Sequence, residues 1–337
     1  MKARCSLFAI AMAALIATGG AFTAVPDTML AAAIDSGGGP EVITSHRLPV
    51  PKPAAGEVLI AVHAAGVGVW EQNARKNPGK DAHFPMILGS DGAGVVVAVG
   101  DGVRNFKVGD RVYGTSEAFY AEYAAASADQ LAHVPKGMDL TVAGVLAISG
   151  LSALQGLDDV LQLKAGETVL IHGAAGAVGT LAIQFARLRG ARVIATAADD
   201  AGLALVKRLG ANVALDGRAE NLAEAIRQAA PHGVDAILAL AGGDSLEHCI
   251  DTLRSDNRGR VAYLYGMRPL PQPRYGIRMT LYSYVAGPAE FARLDKTVAA
   301  TKLQVPIAAE YPLAAAADAH RRLEAGHLLG KIVLKVR

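Results

Sequence analysis

The pattern of apolar and polar positions divides the chain into two styles of structure. Between residues 29 and 149, short apolar or alternating runs are separated by turn signals, and residues 57–65 (EVLIAVHAA) are typical of a strand with one buried face. Similar strands are predicted at residues 29–35, 92–99 and 111–114. Many short strands without helices between them predict a β-rich, barrel-like domain.

From about residue 150 the pattern changes to strands that alternate with helices. A continuous apolar strand at residues 168–172 precedes an amphipathic helix at residues 177–189, and this unit then repeats. Further strands are predicted at residues 192–196, 213–215, 234–240, 260–264 and 279–285, with helices at residues 203–209 and 221–230. About six strands in this order predict a doubly wound parallel sheet, the architecture of dinucleotide-binding domains.

The tail of the chain returns to the first style. Residues 315–325 are predicted to form an amphipathic helix, and residues 331–336 (KIVLKV) a strand. We therefore expect residues 302–337 to rejoin the β-rich domain of residues 29–149. Residues 150–301 would then form the dinucleotide-binding domain on their own.

The start of the chain is similar to a secretory signal peptide. Basic residues precede a short apolar run at residues 6–17, and small residues follow it. Residues 1–24 are therefore predicted to direct export, with cleavage after Ala21 or Ala24, which makes the protein periplasmic or secreted. The alternative is that translation starts at Met29 and the protein is cytoplasmic. The run is too short for a membrane span, so none is expected in the mature form.

Composition and charge exclude several classes of function. The chain has 337 residues with 33 basic and 31 acidic side chains, and this balance gives no electrostatic footprint for nucleic acid. Aromatic residues make up only 5%, which argues against a platform for stacking bases. The two cysteines, Cys5 and Cys249, are too few for a disulfide framework.

The strongest candidate for chemistry is the glycine turn in residues 168–179 (TVLIHGAAGAVG), between a predicted strand and a predicted helix. Gly173 and Gly176 leave room for backbone N–H groups to approach a pyrophosphate, which the helix N-terminus also attracts. Gly179 would let the helix pack closely on the sheet. The turn predicts a nicotinamide dinucleotide; the alternative is a structural turn in some other α/β protein.

The end of the next strand bears on the choice between the two nicotinamide cofactors. An acid at that position would bind the ribose 2′-hydroxyl of NAD, but the sequence reads AADD at residues 197–200. The alanines favour NADPH, whereas the aspartates would repel a 2′-phosphate. Lys207 and Arg208 lie one helix further on and are as typical of a solvated face. We predict NADPH and leave NADH open.

A set of motifs resembles the zinc-free quinone oxidoreductase branch of the medium-chain dehydrogenase/reductase superfamily. They lie at residues 64–71 (AAGVGVWE), 84–100 (FPMILGSDGAGVVVAVG), 108–114 (VGDRVYG), 163–179 (LKAGETVLIHGAAGAVG) and 320–336 (HRRLEAGHLLGKIVLKV). The resemblance implies an α/β protein with a GroES-like catalytic domain and a Rossmann domain. Zinc-using relatives carry a His-Glu pair where this chain has Ser90 and Asp91, so no metal site is expected.

The resemblance implies a zinc-independent oxidoreductase that transfers hydride from NAD(P)H to a quinone or an α,β-unsaturated carbonyl compound (an enone or enal). The alternative is a dinucleotide-binding protein with little or no turnover, such as a sensor or a structural component. The unusual N-terminus and Gly217, which replaces a family tyrosine, motivate that alternative. A homodimer is also implied, through edge-strand pairing of residues 279–285.

Individual residues match the cofactor-binding positions of this family. The phosphate turn corresponds to Gly173, Ala174, Ala175, Gly176, Ala177, Val178 and Gly179. Ser152 stands near the expected nicotinamide end, Ala197 at the strand end that faces the adenosine ribose, and Ala241 with Gly242 at the nicotinamide ribose. Lys331 either approaches the cofactor or lies on the barrel surface.

The substrate cleft is less well specified. Trp70 either forms a wall of the cleft or packs as a buried aromatic residue. Tyr113 and Tyr120 are candidates to donate a hydrogen bond to a substrate oxygen, with simple packing as the alternative for each. Glu71 is either a helix cap or a proton donor.

Overall fold

The computed structural model describes residues 25–256 and 258–337, and the predicted signal at residues 1–24 lies outside the described residues. The strands are β1 (Thr28–Ile34), β2 (Ile43–Pro49), β3 (Glu57–Val67), β4 (Met86–Ile87), β5 (Asp91–Val99), β6 (Arg111–Thr115), β7 (Tyr123–Ser127), β8 (Leu131–His133), β9 (Thr168–His172), β10 (Arg192–Ala197), β11 (Val213–Asp216), β12 (Ala236–Ala239), β13 (Arg260–Leu264), β14 (Arg278–Tyr282), β15 (Ile307–Pro312) and β16 (Lys331–Lys335). The helices are α1 (Val69–Lys76), α2 (Leu140–Ala143), α3 (Ala147–Gln155), α4 (Ala177–Leu188), α5 (Asp200–Arg208), α6 (Leu222–Ala229), α7 (Asp244–Ile250), α8 (Pro288–Ala299) and α9 (Ala316–Glu324).

The predicted β-rich part is a seven-stranded sheet with a small three-stranded sheet beside it. The order in the larger sheet is β15-β16-β3-β5-β6-β8, with β7 also paired to β3. Alternate residues of β3 are fully buried because one face of the strand covers the core, as at Val58, Ile60 and Val62. Strands β15 and β16 from the tail join this sheet next to β3, so the chain does return to its first half.

The predicted doubly wound sheet has six parallel strands in the order β11-β10-β9-β12-β13-β14. The prediction of a Rossmann-like α/β sheet is therefore confirmed. Val169, Leu170 and Ile171 of β9 are all fully buried because helices cover both faces of the sheet. None of the helices in residues 25–256 and 258–337 is long and apolar enough to cross a membrane.

Two local expectations need correction. Helix α1 was not predicted because its buried residues are Glu71 and Arg75, so no apolar face marks it in the sequence. The last strand of the parallel sheet ends at Tyr282 rather than at residue 285. Beyond this point the backbone of Val285 exchanges two hydrogen bonds with the side-chain amide of Gln155, at 2.7 and 2.9 Å, instead of pairing with a strand.

Candidate active site

A cavity of about 370 Å³ lies at the carboxyl edge of the parallel sheet. Its walls include the segments that follow four strands, at Gly173 after β9, Ala197 at the end of β10, Gly217 after β11 and Ala241 after β12. Strands β9 and β12 are neighbours in the sheet but not in the sequence. The cavity therefore occupies the topological switch point, where open α/β sheets bind their ligands.

The glycine turn forms the floor of this cavity. Gly173 has a φ of +77°, which favours glycine. A Cβ atom on Gly176 would meet no described atom closer than 3.9 Å, so this position faces open space. A Cβ atom on Gly179 would lie 2.5 Å from the Cα of Ala174, so α4 packs against the turn there. These contacts give the three glycines different physical roles.

The start of α4 has the properties of an anion site. Gly176 is the N-cap residue of this 12-residue helix, and no side chain of the described residues caps it. The first-turn N–H groups therefore remain available beside the open face of Gly176. The turn and the cavity above it fit the pyrophosphate of a dinucleotide.

Arg218 is a cavity residue that the sequence reasoning missed. It lies two residues after the end of β11 and lines the cavity, where its guanidinium contacts the His327 ring at 2.8 Å. No carboxylate in residues 25–256 and 258–337 pairs with it. The carboxylate of Asp199 accepts a hydrogen bond from the Gly202 backbone N–H at 2.7 Å, as the cap of α5. The available signal was the arginine after the third strand of the predicted sheet, in LDGR.

The tail segment connects the glycine turn to a buried ion pair. The Gly330 N–H donates to the Ala175 carbonyl at 2.9 Å. The next residue, Lys331, is only 6% exposed, and its Nζ donates to both Asp91 oxygens, at 2.9 and 3.1 Å. The alternative of a surface lysine is therefore wrong. Asp91 is itself fully buried, so each charge depends on the other.

Glu71 lies beside this pair and caps α1. Its Oε2 accepts from the Gly68 N–H at 2.9 Å, and its Oε1 from the Ser90 N–H at 2.7 Å. Burial raises the pKa of Glu71, while Lys331 lowers it and Asp91 raises it further. The geometry is that of the cap that the sequence suggested.

Trp70 is half-buried and belongs to a group of three aromatic residues. Its ring stacks on Tyr265 with centroids 5.9 Å apart, and lies edge-on to Tyr284 at 6.2 Å. Tyr265 follows β13 and Tyr284 follows β14, so both stand at the carboxyl edge of the parallel sheet. We call Trp70, Tyr265 and Tyr284 the aromatic niche.

Tyr113 and Tyr120 do not reach this niche. Both side chains are fully buried. The Tyr113 hydroxyl donates to Asp295 at 2.7 Å, and the Tyr120 hydroxyl lies 3.3 Å from Nε2 of His320. The expectation that Tyr120 faces the substrate needs correction, because its fully buried side chain packs in the core of the larger β-sheet.

The structure brings together only some of the residues matched to the cofactor. Those that line the cavity are Gly173, Ala175, Gly176, Ala197, Ala241 and Gly242. Those that do not are Ser152, Ala174, Ala177, Val178, Gly179 and Lys331. Ser152 is buried in α3, where its carbonyl accepts a hydrogen bond from the Tyr282 hydroxyl at 2.9 Å.

Acid is expected to destabilise the fold through His320. Burial, and then the positive charge of Arg75, lower the pKa of His320 to about 4 from its ordinary 6.5. Between these values the unfolded chain binds a proton that the folded protein does not, so folding stability falls as the pH drops from 6.5 to 4. The shift corresponds to about 3 kcal/mol.

Urea unfolding across this pH range measures the effect. His320→Phe keeps a ring edge-on to Tyr120 but removes the titration, so its stability should fall about 3 kcal/mol less than that of the wild type. The lost hydrogen bond to Tyr120 lowers the variant's stability by the same amount at each pH. Parallel pH profiles for the two proteins would contradict the expectation.

Comparison with known proteins agrees with this architecture. Residues 54–136 match the alcohol dehydrogenase GroES-like domain, and residues 209–334 match the family described as zinc-binding dehydrogenase. The chain is 32% identical to the quinone oxidoreductase of Rattus norvegicus over 88% of its own length and 94% of the relative's. It is 33% identical to the quinone oxidoreductase of Homo sapiens over the same shares of the two chains.

The chain belongs to the quinone oxidoreductase-like branch of the medium-chain dehydrogenase/reductase superfamily. Solved structures of the family agree with the fold. The quinone oxidoreductase from Coxiella burnetii superposes with a TM-score of 0.81 at 32% identity, covering 92% of this chain and 100% of that one. A mycobacterial protein in complex with NADPH superposes with a TM-score of 0.83 at 31% identity, covering 91% and 100%. Membership in this family makes the protein an oxidoreductase with a nicotinamide-binding fold.

Proposed function

We propose that the protein is a zinc-independent, NADPH-dependent reductase of quinones or α,β-unsaturated carbonyl compounds. The observation that carries the proposal is the continuity of the site. The cavity above the glycine turn is joined through Gly330 and Lys331 to the buried Asp91, and the aromatic niche stands close to that carboxylate. This chain of contacts supports a dinucleotide in the cavity with its nicotinamide end toward the aromatic niche, where an acceptor would bind.

A bound reduced nicotinamide supplies the hydride, and the residues of the chain supply its position. The open face of Gly176 and the start of α4 hold the pyrophosphate. Ala241 and Gly242, which follow β12 and line the cavity, would border the nicotinamide ribose. The buried pair of Lys331 and Asp91 does not line the cavity, but it joins β16 to β5 next to the segment that contacts the glycine turn, without an exposed net charge.

The donor groups present argue against a zinc ion in the cleft. Asp91 stands where a zinc-using relative has its acid, but its carboxylate is bound by the Lys331 ammonium. A metal ion there would have to displace this buried cation. Cys249 is the one cysteine within the described residues, and it is buried against His172 at the end of β9, with 3.6 Å between Sγ and Nδ1. These side chains leave no thiolate for zinc beside Asp91.

The proposal is tested by following the absorbance of NADPH with a panel of quinones, enones and enals. Consumption with at least one acceptor, unchanged after dialysis against a chelator, is expected. No consumption with any acceptor would overturn the reductase, and tight NADPH binding without consumption would favour the non-catalytic alternative. Loss of activity on chelation, restored by zinc, would overturn zinc independence.

We further propose that Arg218 selects NADPH by pairing with the 2′-phosphate. Arg218→Ala is expected to weaken NADPH binding by about 10- to 100-fold, because it removes a charge-assisted hydrogen bond, and to leave NADH binding within about twofold. Calorimetric titration of both cofactors measures the two affinities. Arg208→Ala, on the exposed face of α5 outside the cavity, is the matched control and should change neither. Equal losses for the two cofactors would contradict the role.

We also propose a homodimer formed at the edge of the parallel sheet. Strand β14 is the edge strand; Leu281 on it is 44% exposed, and Val285, three residues beyond its end, is 62% exposed. An open edge with apolar side chains favours pairing with a second copy. Light scattering should give a dimer for the wild type and a monomer for Leu281→Lys/Val285→Lys. Leu188→Lys, a similarly exposed leucine on α4, should remain a dimer, and a monomeric wild type would contradict the proposal.

A further inference from the structure

The aromatic niche contains the hydroxyls of Tyr284 and Tyr265 and the indole N–H of Trp70, and of the two hydroxyls only that of Tyr284 stands on a half-buried ring. Four tyrosine hydroxyls have a raised pKa, and three of them have partners: Tyr113 with Asp295, Tyr120 with His320, and Tyr282 with the Ser152 carbonyl. Within the described part of the chain, the Tyr284 hydroxyl has no hydrogen-bond partner.

The residues before and after Tyr284 make hydrogen bonds that hold its position. Tyr282 donates to the Ser152 carbonyl at 2.9 Å, and Gln155 binds the Val285 backbone in both directions. Gln130 donates to the Ala286 carbonyl at 3.1 Å. These contacts fix the backbone around Tyr284, so its ring is oriented before any ligand arrives.

The surroundings keep the Tyr284 hydroxyl protonated. Burial, and then the nearby charges of Asp91 and Glu71, raise its pKa to about 12. A phenol in this state donates a hydrogen bond throughout the neutral range. The half-buried ring lies edge-on to Trp70, and the 56% exposed ring of Tyr265 leaves one side of the niche open. Largely apolar walls with a half-buried hydroxyl donor at Tyr284 suit a flat molecule that carries a carbonyl oxygen.

We propose that the Tyr284 hydroxyl binds the carbonyl oxygen of the acceptor, whose flat ring lies against Trp70 and Tyr265. This inference rests on the proposed function and assigns its substrate-binding residue. A donor at that oxygen stabilises the negative charge that develops there as the acceptor is reduced. The Tyr284 hydroxyl keeps its own proton, and the reduced oxygen takes its proton from solvent.

The test uses fluorescence of Trp70, which is the only tryptophan of the chain, and needs no cofactor. Duroquinone is the probe, because its four methyl groups block addition to thiols, and durene is the matched ring without carbonyls. Duroquinone should quench Trp70, and Tyr284→Phe should bind it about 3- to 10-fold more weakly through loss of one hydrogen bond. Tyr265→Phe, which removes a neighbouring hydroxyl, should bind it within about twofold of the wild type.

Three outcomes would overturn the assignment of Tyr284. Unchanged duroquinone affinity in Tyr284→Phe would show that the hydroxyl does not bind the carbonyl oxygen. Absence of duroquinone binding to the wild type would show that the aromatic niche is not the acceptor site. A matching loss of durene affinity in Tyr284→Phe would show that the variant altered packing rather than a contact to oxygen. Because no NADPH is present, Tyr284-dependent binding without NADPH consumption would overturn the proposed function and leave the niche assignment standing.

Discussion

Gly176→Val is expected to abolish NADPH binding while it leaves the fold intact. A Cβ atom at this position has no described neighbour closer than 3.9 Å, and the residue has a φ of −77°, so the chain tolerates a side chain there. The valine would instead occupy the space beside the first turn of α4, where we place the pyrophosphate. We expect the dissociation constant to rise by at least about 100-fold, because both the approach and the N–H contacts of the phosphates are blocked.

Gly179→Ala is the matched variant, since it lies three residues along the same turn. Its Cβ atom would lie 2.5 to 2.7 Å from the backbone of Ala174, so α4 would have to move away from the turn. We expect a loss of stability of about 1–3 kcal/mol, typical of overpacking. Calorimetric titration with NADPH and thermal unfolding separate the two effects. If Gly176→Val bound NADPH with wild-type affinity, the pyrophosphate could not lie at this turn.

Lys331→Met is expected to cost about 3–5 kcal/mol of folding stability, because it leaves a buried carboxylate without its partner. Asp91 is fully buried and accepts both hydrogen bonds from Lys331, and Glu71 lies beside it at 2% exposure. In the variant the two carboxylates repel each other without a compensating cation. Asp91→Asn combined with Lys331→Met should recover much of the loss, since it removes the second charge as well.

The pH dependence of the Lys331→Met variant has a definite sign. Burial and Asp91 already raise the pKa of Glu71, and loss of the Lys331 charge raises it further. A carboxyl whose pKa is higher in the folded than in the unfolded protein destabilises the fold above that range, so the deficit should shrink as the pH falls from 7 toward 5.

Lys335→Met on the same strand provides the control for this measurement. Its ion pair with Glu310 has a distance of 2.7 Å, but the two side chains are 50% and 44% exposed. We expect a cost below about 1 kcal/mol, because solvent screens the pair. Urea unfolding of the four proteins at pH 7 gives the comparison. Similar losses of folding stability in Lys331→Met and Lys335→Met would contradict the expectation that the buried charges of Lys331 and Asp91 depend on each other.

The parts of the site that lie within one strand–turn–helix unit could be predicted from the sequence. The apolar run of β9, the glycine turn and α4 follow one another directly, and the predicted strand has the observed bounds Thr168–His172. Local spacing also implied the six-stranded parallel sheet and the return of the tail as β16, because hydrophobic periodicity depends on near neighbours in the chain.

The polar and aromatic parts of the site could not be predicted in the same way. Lys331 and Asp91 are 240 positions apart, and Arg218 meets His327 across 109 positions. The aromatic niche combines a helix of the β-rich half with two loops of the parallel sheet. For Tyr120 the sequence predicted a position in the substrate cleft that the structure does not show, because a tyrosine near a cleft motif can still point into the core.

Residue spacing along short segments was enough to predict the two styles of structure, the family and the glycine turn between β9 and α4. The tertiary structure was needed to show that Lys331 is buried against Asp91, that Arg218 lines the cavity beside His327, and that the Tyr284 ring lies in the aromatic niche. Charge pairing, burial and pKa depend on which distant segments pack together, whereas hydrophobic periodicity depends only on near neighbours in the chain.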